Sequence, residues 1–362
     1  MLAKDYLKSM AIYFALIISI ITFIVVVIDP FFHFHKPLFG LSPIQWKKEY
    51  QVNGAIDHLD YDALLVGSSV VMNMDNNILD DAYGCESIKA VASGATTDTL
   101  YYYINRAYKS HNLKYVFYGI DYGVLGSKFE YNSTQNQVLY LRNDNPFDDI
   151  EYILNEDVLF HYIPDMIIQS IKGYDDGLAY NFARYSKYGA VETIDWYIDE
   201  YGEWPSKDDQ IPKVEYGMEV TDNVIENVNH IEELVLNHPE TEFIFFFPVR
   251  SILSFDRCLG EIEEDFSVMR YVVNRLSKCD NVTFYVGLFN DKESLMNLDK
   301  YCDCTHADYE VNCETAKRLI PGSSELTVDN MDEQIDTLRS IITEFEKQLK
   351  SEKSYDFLID LY

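Results

Sequence analysis

The chain has 362 residues, with 29 basic and 60 acidic side chains and a net charge of −31. Hydrophobic residues at 48% and aromatics at 15% exclude a disordered chain or a fibrous repeat. A surface this negative repels phosphate backbones, which excludes nucleic acid as a partner and disfavours phosphate-rich wall polymers unless cations or a local basic patch intervene.

Residues 1–8 read as a short cytoplasmic tail. From Ser9 to Ile28 the run SMAIYFALIISIITFIVVVI carries no charge, and its only polar groups are two serines, a threonine and a tyrosine hydroxyl. Twenty helical residues rise about 30 Å, the hydrocarbon thickness of a bilayer. The run ends in Asp29-Pro30 without a small-residue cleavage site, so it reads as a transmembrane helix and not a cleaved signal. A soluble core helix would show a polar face. Lys4 and Lys8 precede the span, and the positive-inside rule then puts the N-terminus in the cytoplasm and the main domain outside. His35-Lys36 and Lys47-Lys48 on the far side weaken that bias. The expected location is a cell membrane, single-pass, with membrane lipid as a partner.

Residues 29–58 form a juxtamembrane segment, in which Phe31, Phe32, Phe34 and Phe39 are expected to make an aromatic belt at the outer interface. His33 and His35 read as interfacial imidazoles in that belt. A metal site is the alternative, but no third ligand is close in sequence.

Residues 59–327 alternate strand and helix patterns. Short apolar runs at Ala63–Val66, Ile88–Ala92, Tyr115–Ile120, Phe243–Phe247 and Val282–Val286 read as buried strands, with Val138–Leu141 as a sixth. Helical patterns lie between them at Thr97–Lys109, Val224–Leu236 and Asp265–Lys278. The expected fold is α/β, a three-layer doubly wound parallel sheet. Residues 123–212 break the rhythm with Tyr174-Asp175-Asp176-Gly177 and Glu203-Trp204-Pro205, and read as an insertion of helices and loops. Its aromatics are expected mainly to form a small core of their own, a sugar-binding groove being the alternative. Residues 328–362 hold an amphipathic helix at Met331–Leu349, expected to pack on the domain surface.

Three short motifs carry candidate chemistry. Gly67-Ser68-Ser69 follows the first strand, where ligands of open α/β sheets bind. A hydroxyl there sits beside helix N-terminal amides, although the same residues would serve as a turn and an N-cap. Ser93-Gly94 follows the second strand, and a glycine lets a backbone N–H approach a substrate oxygen. Asp303-Cys304-Thr305-His306 comes late. Its spacing lets one short turn present a carboxylate that fixes an imidazole, which in turn deprotonates a serine. An N-cap with a surface histidine is the plainer reading of that pair.

In this order the motifs resemble the SGNH/GDSL esterase superfamily over roughly residues 60–325. The resemblance implies Ser69 as nucleophile, His306 as base, Asp303 as its orienting carboxylate and Gly94 in the oxyanion hole. The third block departs from the family: Gly119-Ile120-Asp121-Tyr122 puts Asp121 where an asparagine amide would donate, and an ionised aspartate cannot donate. Either Asp121 is protonated, or it has another role, or the hole relies on the amides of Ser69 and Gly94. The run from Asp29 to Pro37 is similar to the membrane-proximal segment of anchored SGNH-like proteins of Gram-positive bacteria. More distantly it resembles proteins that move D-alanyl groups onto lipoteichoic acid or O-acetylate exopolysaccharides.

The six cysteines, Cys85, Cys258, Cys279, Cys302, Cys304 and Cys313, allow disulfides outside a membrane. Cys302, Cys304, His306 and Cys313 also allow a zinc cluster, but their spacing fits no common finger and zinc would take His306 from the triad. The expected function is a serine-dependent acyl esterase or O-acyltransferase needing no cofactor or metal. By the resemblance its partners are a cell-surface carbohydrate polymer and other membrane proteins of envelope biosynthesis. The alternative is a non-catalytic SGNH-fold module for glycan binding or assembly.

Overall fold

A computed structural model describes residues 2–42, 48–130, 139–143, 145–173, 189–202, 220–256 and 262–359. In chain order the elements used below are α1 (Leu2–Ile28), α2 (Lys48–His58), β1 (Ala63–Gly67), α3 (Asn76–Tyr83), β2 (Ser87–Val91), α4 (Thr97–Tyr108), β3 (Tyr115–Gly119), α5 (Tyr122–Leu125), α6 (Asp149–Ile153), α7 (Ile163–Ile171) and α8 (Ala190–Tyr201). They continue with α9 (Asp222–Asn237), β4 (Glu242–Phe246), α10 (Leu253–Asp256), α11 (Ile262–Leu276), β5 (Val282–Tyr285), α12 (Lys292–Met296), α13 (Tyr309–Lys317) and α14 (Met331–Glu352). The chain divides into two units, Met1–Asp60 with Asn136–Tyr180, and Tyr61–Gln135 with Asn181–Tyr362.

In the first unit, Lys4–Ile28 of α1 is long and apolar enough to cross a membrane. The helix stops at Asp29, which takes a positive φ of 44°. The buried Asp29 carboxylate accepts the backbone N–H groups of His33, Phe34 and His35 at 3.0, 2.6 and 3.0 Å, and the Tyr152 hydroxyl at 2.8 Å. This reverses the chain and carries Phe31 and Phe32 into the interior. The expected aromatic belt is therefore corrected: Phe31 and Phe32 are buried, Phe34 is half-buried, and only Phe39 of the four is exposed. Gly54 of α2 allows the close approach, since a Cβ there would collide with the carbonyl oxygens of Phe31 and Phe32.

The two histidines are spent on different partners. His33 Nε2 lies 2.7 Å from Asp149 Oδ1, whereas His35 Nε2 lies 2.6 Å from the Val26 carbonyl oxygen. They do not converge as metal ligands would.

The sixth expected strand is not one. Leu139–Leu141 is a 3-10 turn, and Val138 lies outside the described residues. Just beyond it the chain continues in turns, where the Asn143 and Asn145 side chains accept the backbone N–H groups of Asn145 and Phe147 at 2.6 and 3.2 Å. Then follow α6, a π-helical turn at Val158–Tyr162, and α7. Leu141, Tyr152, Val158 and Ile163 form one core with Val25 and Phe31.

The second unit is built on five parallel strands in the order β2-β1-β3-β4-β5, with flanking helices. All five expected strands are present within a residue or two of their expected bounds. The apolar runs work because β1 and β2 are buried along their whole length and β3 and β4 at all but their first residue. α14 buries Ile335, Leu338, Ile342 and Phe345, so it is a packing helix. The stretch expected as a single insertion is divided: 139–173 belongs to the first unit and 189–202 to the second. Tyr174–Gly177 and Glu203–Pro205 lie outside the described residues, as do Lys47 and Cys258. The five described cysteines are free thiols.

Candidate active site

At the carboxyl end of β1 the chain turns sharply. A Cβ at Gly67 would lie 2.6 Å from Val71 Cγ2, and one at Gly119 would lie 2.5 Å from Val71 Cγ1. Two glycines at the ends of neighbouring strands thus leave room for Val71 to fold back over the sheet edge. That packing forms the 3-10 turn Ser69–Val71, in which Met72 N–H donates to the Ser69 carbonyl at 3.1 Å. Lys89, on β2 and only 1% exposed, donates from Nζ to the Met72 carbonyl at 2.9 Å and fastens the end of the turn. Burial pushes the Lys89 amine down to about 7, with Asp75 and Cys313 opposing.

The two serines of the turn divide. Ser68 is buried and donates from Oγ to Asp121 Oδ2 at 3.0 Å. Ser69 is half-exposed, and its Oγ lies 2.7 Å from His306 Nε2, 237 residues away in sequence.

His306 sits in a tight loop after β5. Tyr301 and Ala307 form an antiparallel bridge, and Cys302 N–H donates to the His306 carbonyl at 2.8 Å. Inside the loop, Asp303 Oδ1 accepts the backbone N–H groups of Thr305 and His306, both at 2.7 Å, and its Oδ2 lies 2.7 Å from His306 Nδ1. Burial would raise the Asp303 pKa, but the hydrogen bond and charge of His306 and the two backbone donors outweigh it and hold the carboxyl below its ordinary value. The helix start is capped by a different residue, Asp308, which accepts Val311 N–H at 2.9 Å. Asp303 is therefore free to orient His306. From outside, Ser254 Oγ donates to the Cys304 carbonyl at 2.6 Å and Ser251 Oγ donates to the same atom. Asn73 Nδ2 donates to the Ala307 carbonyl at 3.1 Å, tying the loop to the segment after Ser69.

Asp121 follows β3. Its Oδ1 is ion-paired with Arg250, and its Oδ2 takes the Ser68 hydroxyl. Arg250 also lies over the Tyr122 ring, 4.7 Å from its centroid. Burial pulls the Arg250 pKa down, but Asp121, Tyr122 and Asp265 pull it further up and hold the guanidinium charged. Gly94 lies exposed in the turn after β2 with φ +61°, a left-handed conformation that suits glycine. It shares the sheet edge, but among the described residues it makes no hydrogen bond to the other site groups.

Sequence reasoning missed Arg250, Ser251, Ser254, Lys89 and Asn73. An arginine shortly beyond the end of β4 was the one available signal, because open α/β sheets bind ligands at the strand carboxyl ends. Chemically, the arrangement is a hydroxyl, an imidazole and a carboxylate in series, with the imidazole placed to accept the hydroxyl proton. Among the described residues no group of three or more His, Cys, Asp and Glu converges as a metal would require. No family model matches the chain, and no curated protein is similar enough to count as a match.

Proposed function

We propose that this chain is a membrane-anchored, extracytoplasmic serine esterase or O-acyltransferase of the SGNH type acting on acyl groups of a cell-surface glycopolymer. The observation that carries the reading is the series Ser69 Oγ–His306 Nε2 and His306 Nδ1–Asp303 Oδ2, each 2.7 Å. Ser69 attacks the acyl carbonyl while His306 takes its proton. The tetrahedral intermediate collapses, and His306 returns the proton to the leaving sugar oxygen. Water or a second sugar hydroxyl then gives its proton to His306 and takes the acyl group, and His306 passes that proton back to the departing Ser69 oxygen. The amides of Ser69 and Gly94 are the proposed oxyanion donors.

The membrane anchor supports a surface substrate, and Lys4 and Lys8 support the outward orientation. The five free cysteines do not add to the case for that orientation. The ion-paired Asp121, in place of an amide donor, favours the alternative of a non-catalytic glycan-binding or assembly module.

One experiment separates these readings. A membrane-impermeant fluorophosphonate probe is applied to intact cells carrying the wild-type chain or Ser69→Ala. Labelling of the wild type alone is the expected result. Labelling that survives Ser69→Ala removes Ser69 as nucleophile, and labelling only after lysis reverses the orientation. A folded chain that never labels favours the non-catalytic module.

A further inference from the structure

Beyond the anchor, we infer that the helical segment around α6 and α7 lies half-submerged in the same bilayer that α1 crosses, with Leu154, Phe160, Ile168 and Ile171 in contact with lipid. This rests on the proposed anchoring of α1, and adds a second membrane contact far from it in sequence.

The inference begins with what covers α1. Val25 is fully buried and Ile21 and Ile28 are partly buried, packed in one core with Val158, Ile163, Leu159 and Ile167. By contrast, nearly every side chain from Lys4 to Ile20 of α1 is exposed. At about 1.5 Å per residue, Val25 lies roughly 4.5 Å and Ile21 roughly 10 Å short of the end of the helix at Ile28.

Charge at the other end fixes how deep those residues sit. A hydrocarbon core of about 30 Å takes about twenty helical residues. Placed on Ser9–Ile28 it contains no charged side chain, and Ile21 and Val25 are then inside the hydrocarbon together with the residues packed on them. To keep residues 158–167 out of the bilayer, the core would have to end near Ile21 and start near Leu2. It would then take in Lys4, Asp5 and Lys8 near its N-terminal end and give up the uncharged residues 22–28, a poorer match of the apolar run to the hydrocarbon. The helix sequence therefore draws the packed segment down to the boundary.

The exposed surface of the segment suits that boundary. Phe160 is 73% and Ile171 81% exposed, and Leu154 and Ile168 also face outward. Glu151, Glu156, Asp157, His161, Asp165 and Lys172 are exposed on the same segment, so its exposed charge is mainly acidic. Large apolar side chains exposed beside charged ones suit an element at the head-group and acyl boundary, the apolar ones toward lipid and the acidic ones toward water. The segment and α1 belong to one unit and share one core, so the segment stays beside the C-terminal end of the span.

The test uses the full chain reconstituted into vesicles of phosphatidylcholine and phosphatidylglycerol. The photoreactive residue p-benzoylphenylalanine is placed singly at Phe160, Ile171, Phe23 or Leu236. Phe23, 68% exposed on α1, reports the anchor, and Leu236, 61% exposed on α9 of the other unit, reports an apolar side chain with no expected membrane contact. On irradiation, the peptides carrying positions 160, 171 and 23 should gain the mass of one phospholipid, and that carrying 236 should not. Adducts at 23 with none at 160 and 171 overturn the second contact and leave the anchor standing. No adduct at 23 overturns the anchor and the inference together. Cross-linking of 160 or 171 to a second copy of the chain also overturns the inference, since that face would then be a homotypic interface.

Discussion

Replacing Asp121 by asparagine tests what the third block of the site does. The resemblance to SGNH esterases implies that an amide at this position would supply an oxyanion donor. In the structure the carboxylate is the partner of Arg250 and the acceptor of the Ser68 hydroxyl. The two side chains of the ion pair are only 19% and 12% exposed. Removing one partner of a fully buried pair costs about 3–5 kcal/mol, because the other charge is left uncompensated, whereas exposed pairs are worth about 0–1 kcal/mol. For a pair this deep, Asp121→Asn should cost about 2–4 kcal/mol. In a domain of about 150–250 residues each kcal/mol moves the melting temperature by about 2–4 °C, so the expected loss is about 4–16 °C. The assay is thermal denaturation of the full chain in detergent, with fluorophosphonate labelling measured well below the transition. Asp121→Asn/Arg250→Met removes both charges and should recover most of the loss. A double variant as unstable as the single one would refute the ion-pair argument, as would a single-variant shift under about 2 °C. A rise in labelling by about 10²-fold in Asp121→Asn would instead show the amide acting as an oxyanion donor.

Two further outcomes follow from the same geometry. Asp303→Asn leaves an amide in a turn shaped for a carboxylate, releases the His306 tautomer, and should slow fluorophosphonate labelling by about 10²–10⁴-fold at neutral pH, the contribution of a positioned general base; an unchanged rate would take Asp303 out of the site. Lys89 sheds its proton near pH 7 in the folded chain but only near 10.5 when unfolded, so the unfolded state binds more protons between these values and Lys89 makes stability rise with pH across that window. The slope is at most about 1.4 kcal/mol per pH unit. Urea midpoints of the wild type minus those of Lys89→Met should therefore climb from pH 7.5 to 9.5, and parallel curves would show that Lys89 is not depressed.

What the sequence could reveal follows from the range of each interaction. The strands were legible because a strand buried on both faces, as β1, β3 and β4 nearly are, writes its burial as an apolar run that contains its own signal. The Asp303-x-x-His306 pair was legible for the same reason: four consecutive residues of one loop carry both groups, and Asp303 Oδ1 is satisfied by N–H groups within that loop. The plainer N-cap reading failed through a neighbour, since Asp308 takes the cap five residues later. Phe31 and Phe32 were misplaced because their fate is decided at Asp29. Its carboxylate reverses the chain and receives Tyr152, a partner 123 residues away that no local pattern announces. The partner of Arg250 was hidden in the same sense. Nothing within Phe247-Pro248-Val249-Arg250 points to Asp121, which lies 129 residues earlier, and only the pairing of β3 with β4 brings the two loops to one edge.

The choice between Ser68 and Ser69 shows how far local reasoning reaches. The Gly67-Ser68-Ser69 turn fixes that one hydroxyl leads the 3-10 turn and the other precedes it. The matching glycine at position 119, on a neighbouring strand, lets Val71 pack between the strand ends and fixes which hydroxyl faces outward. With Ser68 drawn inward to Asp121, Ser69 is the hydroxyl left for His306. Local spacing thus named the candidates, and a long-range steric constraint between β1 and β3 assigned them.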